Sequence, residues 1–379
     1  MDPTDRPLQH TPLHAAHVAA GARMVPFAGY DMPVQYPLGV LGEHLWTREQ
    51  AGLFDVSHMG QAFVIGPDWE TTACAIEALV PADILNLKPG YQRYSQLLDE
   101  NGGILDDLMV TRSNYQGCEG WAYLVVNAAC KETDFPHIAA RLPAGVTLKR
   151  ADDLALLALQ GPAAVAVLEK LVPGIGDLGF MQFRALKVDG AHYHITRCGY
   201  TGEDGFEICV AAKDVVALWE RLLGDERVKP IGLGARDSLR LEAGLCLYGH
   251  DIDTGTSPIE AGLNWSIQKR RREEGGFPGA SRIQRELRDG AGRLRVGIRP
   301  EGRQPAREGA DIMADGRKVG TVTSGGFGPS VNGPVAMGYV ERGFASEGQK
   351  LTLMVRGKEL AATVAALPFT PHRYARTKS

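Results

Sequence analysis

The sequence predicts an α+β protein, in which mixed α/β segments are followed by a small antiparallel β domain. Its 379 residues exceed what one hydrophobic core usually supports, so two or three domains are expected. Strand-like and helix-like segments alternate up to about Arg150 and again between Leu154 and Tyr248. After about Arg293 the apolar runs become short and turn signals separate them, which is typical of an antiparallel β domain.

The first mixed segment, which ends near Arg150, contains apolar residues at both helical and strand spacing. In chain order the pattern predicts a helix over residues 41–50, a strand over 61–65, a helix over 69–79, a hairpin over 94–110, a strand over 121–127 and a helix from about Lys131.

The second mixed segment shows the same alternation. It predicts a strand over 154–159, a helix led by Gly161-Pro162, strands near 186–188, 193–197 and 206–210, and a helix over 214–223. Proline suits the first turn of a helix, which supports the helix start. The polar and glycine-rich stretch at 269–279 is predicted to be a loop.

The C-terminal segment has the turn signals that short β-strands need. Asp315-Gly316 and Asn332-Gly333 predict turns, and residues 350–367 predict another hairpin. Gly-Gly-Phe-Gly at 325–328 lacks the spacing of a dinucleotide-binding loop and is predicted to be a turn in the β domain.

The predicted hairpin of the first segment carries the most informative residues. An Asn-Gly pair at 101–102 lies between two apolar runs and predicts a two-residue type I′ turn. With that loop, position 96 lies opposite position 107. Side chains alternate between faces along a strand, so Tyr94, Gln96 and Asp107 share one face while Asp106 points to the other. The adjacent aspartates are therefore not expected to act as an acid–base pair, and Tyr94 with Asp107 begins a candidate site.

Composition and charge exclude several classes of protein. The net charge of −4 argues against broad nucleic-acid binding, and no apolar run approaches the length of a membrane span. The N-terminus has no apolar signal core and carries acidic residues that a transit peptide avoids. The six cysteines are scattered without a C-x-x-C pair, so free thiols in a reducing compartment are expected and a zinc or iron–sulfur site is not.

Motifs for several common chemistries are absent from the sequence. There is no phosphate-binding P-loop, no H-E-x-x-H, no G-x-S-x-G elbow and no G-x-G-x-x-G that opens a helix after a strand. His14 and His17 are interpreted as a partly exposed helix face, because no third metal ligand is near them in sequence. The same interpretation applies to His192 and His194, so no metal site is expected.

A second dense stretch is Gly-Tyr-Thr-Gly-Glu-Asp-Gly-Phe-Glu at 199–207. Its three glycines permit a tight backbone close to a ligand, and the strand-like residues that follow place Glu207 on a rigid element. A fixed carboxylate can accept two parallel N–H bonds from an aminopyrimidinone edge, which a guanine or a pterin presents. The alternative is a solvated turn with charged residues.

A third stretch, residues 232–249, predicts a helix that carries Asp237, Arg240 and Glu242 among apolar residues. Arg236 and Arg240 are four residues apart and can share a helix face. A buried arginine usually pairs with a carboxylate or binds an anion. The choice between an internal ion pair and a binding site stays open from these residues alone.

Taken together, these three stretches resemble the aminomethyltransferase (T-protein) family of the glycine cleavage system. The resemblance extends from about Thr11 to Tyr374, and its motifs are long and colinear. They include Gly-Ala-Arg-Met-Val-Pro-Phe-Ala-Gly-Tyr-Asp-Met-Pro-Val-Gln-Tyr at 21–36, Gly-Leu-Phe-Asp-Val-Ser-His-Met-Gly at 52–60, Val-Val-Asn-Ala-Ala at 125–129, Thr-Val-Thr-Ser-Gly at 321–325 and Ala-Met-Gly-Tyr-Val at 336–340. Motifs of this length are far more specific than a single short pattern.

The resemblance implies a folate enzyme. Such an enzyme takes an aminomethyl group from the lipoyl arm of the glycine cleavage carrier (H) protein and passes its carbon to tetrahydrofolate. The products are 5,10-methylenetetrahydrofolate, ammonia and the dihydrolipoyl carrier. Tetrahydrofolate is then a co-substrate, the lipoylated H-protein is the partner, and no metal, nucleic acid or membrane is involved. The implied compartment is the cytoplasm of a bacterium or the mitochondrial matrix of a eukaryote.

The resemblance also implies three domains around a central folate channel. Residues 1–54 and 152–248 would form a first, discontinuous mixed domain. Residues 55–151 and 249–285 would form a second one, and residues 290–379 a β-barrel-like third domain. The last of these agrees with the antiparallel domain expected from the turn signals.

Matching the family motifs residue by residue gives the expected site. The catalytic aspartate is implied to be Asp107, which would stabilise a cationic centre on the transferred carbon or receive a proton. The residues implied to bind folate or substrate are Tyr94, Asn127, Tyr200, Glu207, Arg236 and Tyr374. Arg240 keeps the ion-pair interpretation. Thr111 replaces a tyrosine found in some relatives, so the contact that this tyrosine makes is not expected here.

Two alternatives remain beside this interpretation. One is a folate-binding protein of iron–sulfur cluster assembly, whose K-G-C-[YF]-x-G-Q-E stretch is replaced here by Leu-Cys-Leu-Tyr-Gly-His-Asp at 245–251. The other is a domain like those fused to sarcosine or dimethylglycine dehydrogenases, which carry a flavin-binding segment that this chain lacks. The basic run at 269–272 could contact an acidic carrier protein or a polyglutamate tail, or it could be a solvated loop.

Overall fold

This computed structural model describes residues 7–376. Within them the helices are α1 (His14–Ala19), α2 (Gly39–Glu49), α3 (Trp69–Glu77), α4 (Lys131–Ala139), α5 (Ala164–Leu171), α6 (Val215–Leu223), α7 (Leu233–Glu242), α8 (Lys269–Glu274) and α9 (Ala280–Asp289). None of these helices is long and apolar enough to cross a bilayer.

The strands of residues 7–230 are β1 (Arg23–Phe27), β2 (Tyr30–Gln35), β3 (Ala51–Asp55), β4 (Gly60–Ile65), β5 (Tyr91–Leu98), β6 (Ile104–Arg112), β7 (Trp121–Val126), β8 (Thr147–Arg150), β9 (Leu154–Gln160), β10 (Phe183–Val188), β11 (Ala191–Thr196), β12 (Gly205–Ala211) and β13 (Val228–Pro230). The remaining strands are β14 (Arg293–Pro300), β15 (Asp311–Ala314), β16 (Arg317–Gly328), β17 (Gly333–Glu341), β18 (Lys350–Val355) and β19 (Lys358–Ala365).

A six-stranded sheet has the strand order β10-β11-β12-β9-β3-β13. Only β13 runs parallel to its neighbour within this sheet. One face packs against α5 and α6 through apolar side chains such as Leu168 and Trp219. Because β3 precedes β9 by about a hundred residues, the chain leaves this sheet and returns to it. The intervening residues, 60–150, supply the second large sheet.

That second sheet has five antiparallel strands in the order β5-β6-β7-β4-β8, and its outer face packs against α3 and α4. The inner faces of the two sheets meet in an apolar cluster that contains Phe54 and Leu156 from one sheet and Tyr123 and Val125 from the other. Side chains that point inward from both sheets therefore share one space.

The C-terminal part is a closed antiparallel barrel with the order β14-β17-β16-β15-β18-β19. The Asp315-Gly316 turn forms as predicted, since the two residues have φ of 49° and 75°. The mixed α/β elements with this barrel confirm the predicted fold class. We propose the domain boundaries given above for the three parts.

Three local predictions are wrong. Gly325–328 lies inside the long strand β16 instead of forming a turn. The basic residues at 269–272 begin the helix α8 instead of a loop. The hairpin loop covers residues 99–103, because Asp99 accepts hydrogen bonds from the backbone N–H groups of Asn101 and Gly103. Next to this loop, the strand pairing has a bulge between Leu97 and Leu98. Only Gly102 of the Asn-Gly pair has positive φ, so the turn is not type I′.

Candidate active site

Asp107 lies where the β5–β6 hairpin meets the end of β7. The bulge restores the register, so Gln96 lies opposite Asp107 and Tyr94 opposite Met109, as the strand alternation predicted. The Tyr94 hydroxyl donates to Asp107 Oδ2 at 2.9 Å, and Asn127 Nδ2 donates to Oδ1 at 2.6 Å. Both oxygens of this carboxylate are therefore held by neutral donors on neighbouring strands.

The electrostatics of Asp107 differ from those of a surface aspartate. Burial raises its pKa, and the negative charge of Asp106 raises it further, to about 7. The hydrogen bonds from Tyr94 and Asn127 act in the opposite direction and only partly offset these effects. A carboxyl group with a pKa near neutrality exists in both protonation states at physiological pH, as proton exchange requires.

Asp106 points away from Asp107, as expected, but it is not independent of it. Asn127 donates its backbone N–H to Asp106 Oδ2 at 2.9 Å and its side-chain Nδ2 to Oδ1 at 2.8 Å. The same Nδ2 also contacts Asp107. The two carboxylates lie on different faces of β6, but one amide joins them and the charge of Asp106 raises the pKa of Asp107.

Glu207 approaches the same space from the opposite sheet. It shares a face of β12 with Cys209, which belongs to the apolar cluster between the sheets, and Asp107 shares a face of β6 with Met109, which packs against that cluster. Burial raises the pKa of Glu207, while the positive charge of Arg236 lowers it. The two sheets thus present one carboxylate each toward a common region.

Arg236 and Tyr200 connect these two carboxylates. The Arg236 guanidinium lies over the Tyr200 ring, 4.7 Å from its centroid. The Tyr200 hydroxyl donates to the Cys246 carbonyl, and the negative charge of Asp107 contributes to the raised pKa of Tyr200, after burial. Arg236 has no ion-pair partner within 4 Å among residues 7–376, whereas Arg240 pairs with Asp251 at 2.6 Å as its ion-pair interpretation expected.

Tyr374 reaches the site from the C-terminal tail, residues 366–376, which leaves the barrel and returns to the six-stranded sheet. Its ring stacks on Phe180, with centroids 4.2 Å apart. The tail is fixed by the Phe180 N–H donating to the Ala375 carbonyl and the Arg373 N–H donating to the Gly202 carbonyl. The tail therefore lies beside the turn that precedes β12.

The seven residues assigned from the family motifs share one property. Each is half-buried, whereas the neighbouring Asp106 and Arg240 are buried. Partial exposure is typical of groups that line a ligand site, because they keep a face free for the ligand. The seven residues are Tyr94, Asp107, Asn127, Tyr200, Glu207, Arg236 and Tyr374.

Trp265 and Asp134 are additional residues that the sequence analysis did not assign. Trp265 is 58% exposed and stacks on Tyr94 at a centroid distance of 5.4 Å. A large exposed aromatic beside the candidate catalytic pair indicates a further contact surface for a planar ligand. No local sequence signal marks Trp265, because its position depends on how residues 264–266 pack against β5.

Two groups of residues have spacing compatible with a metal ion within the described residues. These are His10, His14 and Asp31, and Asp106, Cys130 and Asp134. His14 is half-buried, and its Nε2 lies 2.8 Å from Asp31 Oδ2. His17 is fully buried, so the expected partly exposed helix face is wrong for this residue. His17 points elsewhere and contacts Asp55 at 2.9 Å.

The basic residues at 269–272 are mainly structural. Arg270 forms ion pairs with Glu77 and Asp83, and the buried Arg271 donates to the Glu77 carbonyl at 2.6 Å. Lys269 is the one residue of the four whose side chain is largely exposed, and it forms an ion pair with Glu273. The structure therefore offers little support for this run as a contact for an acidic partner.

Comparisons with known proteins agree along nearly the whole chain. Residues 13–271 match the GCVT N-terminal domain family, and residues 293–370 match the glycine cleavage T-protein C-terminal barrel domain family. A mitochondrial aminomethyltransferase from Dictyostelium discoideum is 45% identical, over 97% of this chain and 94% of that protein. A mitochondrial aminomethyltransferase from Pisum sativum is 42% identical, over 98% of this chain and 91% of that protein.

A solved structure is also similar to this chain. The glycine cleavage system aminomethyltransferase T from Bartonella henselae is 47% identical, with a TM-score of 0.91. The alignment covers 97% of this chain and 100% of that one. Similarity in both sequence and structure therefore extends through the two mixed parts and the barrel.

Proposed function

Since the chain belongs to the glycine cleavage aminomethyltransferase (T-protein) family, we propose that Asp107 is the catalytic carboxylate of a tetrahydrofolate-dependent aminomethyl transfer. The observation that carries this proposal is the fixed, half-buried Asp107 between Tyr94 and Asn127. A carboxylate held in this way needs little reorganisation when positive charge develops beside it, which is the main source of electrostatic catalysis.

The full reaction is the one that membership of this family implies. The aminomethyl group arrives on a sulfur of the lipoyl arm of the H-protein, and its carbon passes to tetrahydrofolate. The products are 5,10-methylenetetrahydrofolate, ammonia and the dihydrolipoyl carrier. As the carbon leaves sulfur, a cationic iminium-like centre develops, and ionised Asp107 stabilises it. The same carboxylate receives a proton from a folate amine, for which a pKa of about 7 is well placed.

Glu207 and Arg236 are proposed to hold the pterin. The carboxylate of Glu207 accepts two parallel N–H bonds from the aminopyrimidinone edge. The nearby charge of Arg236 favours the ionised form of Glu207, which this pairing requires. Because Asp107 and Glu207 come from facing sheets, a planar ligand bound by Glu207 extends toward Asp107.

Aromatic side chains are proposed to line the rest of the folate site. Tyr200 lies under Arg236, and Tyr374 stacks on Phe180 beside the same turn. Trp265 and Tyr94 form a second stacked pair on the Asp107 side. Planar rings of this kind favour stacking with a pterin or an aminobenzoyl group.

The compartment is proposed from the relatives. Those compared include mitochondrial aminomethyltransferases and a bacterial one. We place this protein in the mitochondrial matrix if its host is a eukaryote and in the cytoplasm if its host is a bacterium. In either compartment the six free cysteines stay reduced.

Ammonia release from an aminomethyl-lipoyl H-protein, with and without tetrahydrofolate, tests the proposed function. We expect release to be strongly accelerated by tetrahydrofolate, with methylenetetrahydrofolate formed in equal amount. Asp107→Asn keeps the size of the side chain but removes its charge and one of its two acceptor oxygens, and it is expected to lower the rate by about 10²-fold or more. Folate binding without accelerated release would instead favour a folate-binding protein of iron–sulfur cluster assembly.

A further inference from the structure

Behind the candidate active site, Asp106 lies in an unusual environment for a carboxylate. It is completely buried, on the face of β6 opposite Asp107. It accepts the backbone N–H and the side-chain Nδ2–H of Asn127, at 2.9 and 2.8 Å. No residue among 7–376 forms an ion pair with it within 4 Å, so its charge is compensated by hydrogen bonds rather than by a cation.

A second buried carboxyl group, Asp134 of α4, faces Asp106. Asp134 is 3% exposed, and its Oδ2 is buried without a hydrogen-bond partner among residues 7–376. One oxygen of each aspartate and the Sγ of Cys130 lie within 4.8 Å of one another. Two buried anions at this separation would repel each other strongly, so the arrangement requires either a proton or a cation between them.

The hydrogen-bonding capacity of Asp106 favours a proton. An ionised carboxylate has about four lone-pair positions, and Asn127 fills two of them. The Cys130 Sγ and one oxygen of Asp134 lie within 4.8 Å of an oxygen of Asp106, and each of these two groups is a donor when it is protonated. Lys131, the lysine nearest to Asp134 in the sequence, does not pair with either aspartate, because its Nζ donates to the Tyr30 hydroxyl at 2.6 Å.

We propose that Asp134 is a neutral carboxylic acid that donates a hydrogen bond to ionised Asp106, and that this buried pair acts as a positioning device for Asp107. Asp134 donates to Asp106, Asp106 accepts two bonds from Asn127, and Asn127 donates to Asp107. This series of hydrogen bonds fixes the orientation of the Asn127 amide. The amide in turn fixes the position of the Asp107 carboxylate. Asp134 does not touch the substrate and is a positioning residue.

The titration properties of the cluster are consistent with this assignment. Burial and the charge of Asp106 raise the pKa of Asp134 to about 9. Burial also raises the pKa of Asp106, but the hydrogen bonds from Asn127 act in the opposite direction and favour its ionised form. The groups that face the pair are Asp107, Cys130 and Tyr248, and burial is the largest cause of the raised pKa of each. Each of these groups adds negative charge or none, so none of them favours ionised Asp134.

The pairing has a consequence for Asp107. The negative charge of ionised Asp106 raises the pKa of Asp107. Protonated Asp134 donates to Asp106 and thereby keeps Asp106 ionised. Without a donor at position 134, Asp106 binds a proton itself and no longer raises the pKa of its neighbour. The role in catalysis rests on the proposed function of Asp107, whereas the protonation state of Asp134 is testable without any catalytic assay.

The first test measures that protonation state in the wild-type protein. With ¹³C-labelled aspartate, the carboxyl resonance that disappears in Asp134→Asn is expected to keep the shift of a protonated acid at pH 7 and to titrate near pH 9, the value given by its environment. A resonance that is already ionised at pH 7 would overturn the proposal. So would a loss of stability after dialysis against a chelator that occurs in the wild type but not in Asp134→Asn, because it would place a cation between the two carboxylates.

A second test uses the dependence of stability on pH. An aspartate that stays protonated in the folded state but ionises in the unfolded chain makes folding less favourable as pH rises from about 4 toward the folded pKa. Asp134→Asn has no such group, so the urea midpoint of the variant should rise relative to that of the wild type as pH increases from about 5 to about 8. Glu132→Gln is the control on the same helix, since the folded pKa of Glu132 is lowered and the gain should not appear.

A third test separates positioning from simple packing. Asp134→Asn keeps a donor toward Asp106 and should retain the wild-type pH profile of kcat/KM. Asp134→Leu fills similar space without a donor, and its acid limb should move to lower pH while tetrahydrofolate still binds. Equal profiles for the two variants would contradict a role for the proton. If the protein shows no aminomethyl transfer at all, the proposed function fails, but the first two tests still decide the state of Asp134.

Discussion

Single residues determine the chemistry of the site, and Asp107 shows how. Strand alternation along the hairpin was enough to place Tyr94 and Asp107 together, because side-chain direction in a strand follows a local rule. It could not reveal Asp134 or Trp265, whose positions depend on how α4 and residues 264–266 pack against the sheet. Nor could it show that Asn127 joins the two adjacent aspartates.

The first residue-scale prediction concerns pH. Only ionised Asp107 can accept a proton, so kcat/KM should fall as pH decreases below about 7, the pKa that burial and Asp106 give this group. The Tyr94 hydroxyl stabilises the ionised form, so Tyr94→Phe should move this acid limb to higher pH. Rate measurements across pH for both proteins would check this, and an unchanged limb in Tyr94→Phe would show that Asp107 does not control it.

A second residue-scale prediction concerns folate binding. Glu207→Gln removes one charged acceptor while keeping the shape of the side chain. A hydrogen bond to a charged group contributes about 1.5–3 kcal/mol, so the Kd for tetrahydrofolate should rise by roughly tenfold or more. Calorimetric titration would measure the change. Asp107→Asn serves as the comparison, because it should affect the rate much more than the affinity, and equal affinities for wild type and Glu207→Gln would remove Glu207 from the site.

At the scale of elements, the β5–β6 hairpin owes its position to its loop. Asp99 organises that loop through hydrogen bonds to the N–H groups of Asn101 and Gly103, and the Ile104 N–H bonds to the carbonyls of Asp253 and Thr256. The Asn-Gly signal correctly predicted a hairpin but gave the wrong turn. A bulge compensated for the longer loop and preserved the register, and sequence alternation alone does not reveal such compensation.

The element-scale prediction is that Gly103→Ala destabilises the protein. A Cβ at this position would lie 2.0 Å from the Thr254 carbonyl oxygen, so the loop would have to move away from the 253–256 segment. Overpacking of this kind typically costs about 1–3 kcal/mol in the free energy of unfolding. Gly292→Ala is a matched control, because a Cβ there has no neighbour within 4 Å. Urea unfolding of both variants would test the difference, and equal midpoints would contradict it.

At the scale of the whole molecule, α7 joins the mixed parts to the barrel. Buried Glu242 contacts His44 and Arg48 of α2, each at 3.1 Å, and accepts the Ser330 N–H of the β16–β17 turn at 2.7 Å. Turn signals predicted an antiparallel β domain from sequence, because short strands and their turns are local features, whereas its barrel-like form was implied by the family resemblance. The interleaving of the two mixed parts came from the family resemblance, since no local pattern shows which strands will pair across a hundred residues.

The whole-molecule prediction concerns this junction. Burial alone would raise the pKa of Glu242, but hydrogen bonds and charges from His44, Ser330 and Arg48 lower it to about 2. The resulting stability is therefore present above the ordinary glutamate pKa of about 4.3 and is lost as pH falls toward 2. Glu242→Gln should cost about 3 kcal/mol near neutral pH and reduce the loss on acidification.

Chemical unfolding of wild type and Glu242→Gln at several pH values would measure both effects. Glu341→Gln is a suitable control, because the ion pair between Glu341 and Arg317 is exposed and should contribute little. A similar loss of stability in the two variants at neutral pH would argue against a special role for the α7 junction.

The path of the C-terminal tail has a consequence for how the protein is made. Tyr374 reaches the turn before β12 only after the barrel strands have been synthesised, because the tail follows β19 in the chain. A nascent chain in which both large sheets have folded on the ribosome therefore still lacks the Phe180–Tyr374 stack. The proposed folate site therefore stays without one of its aromatic side chains until the segment after β19 has been synthesised.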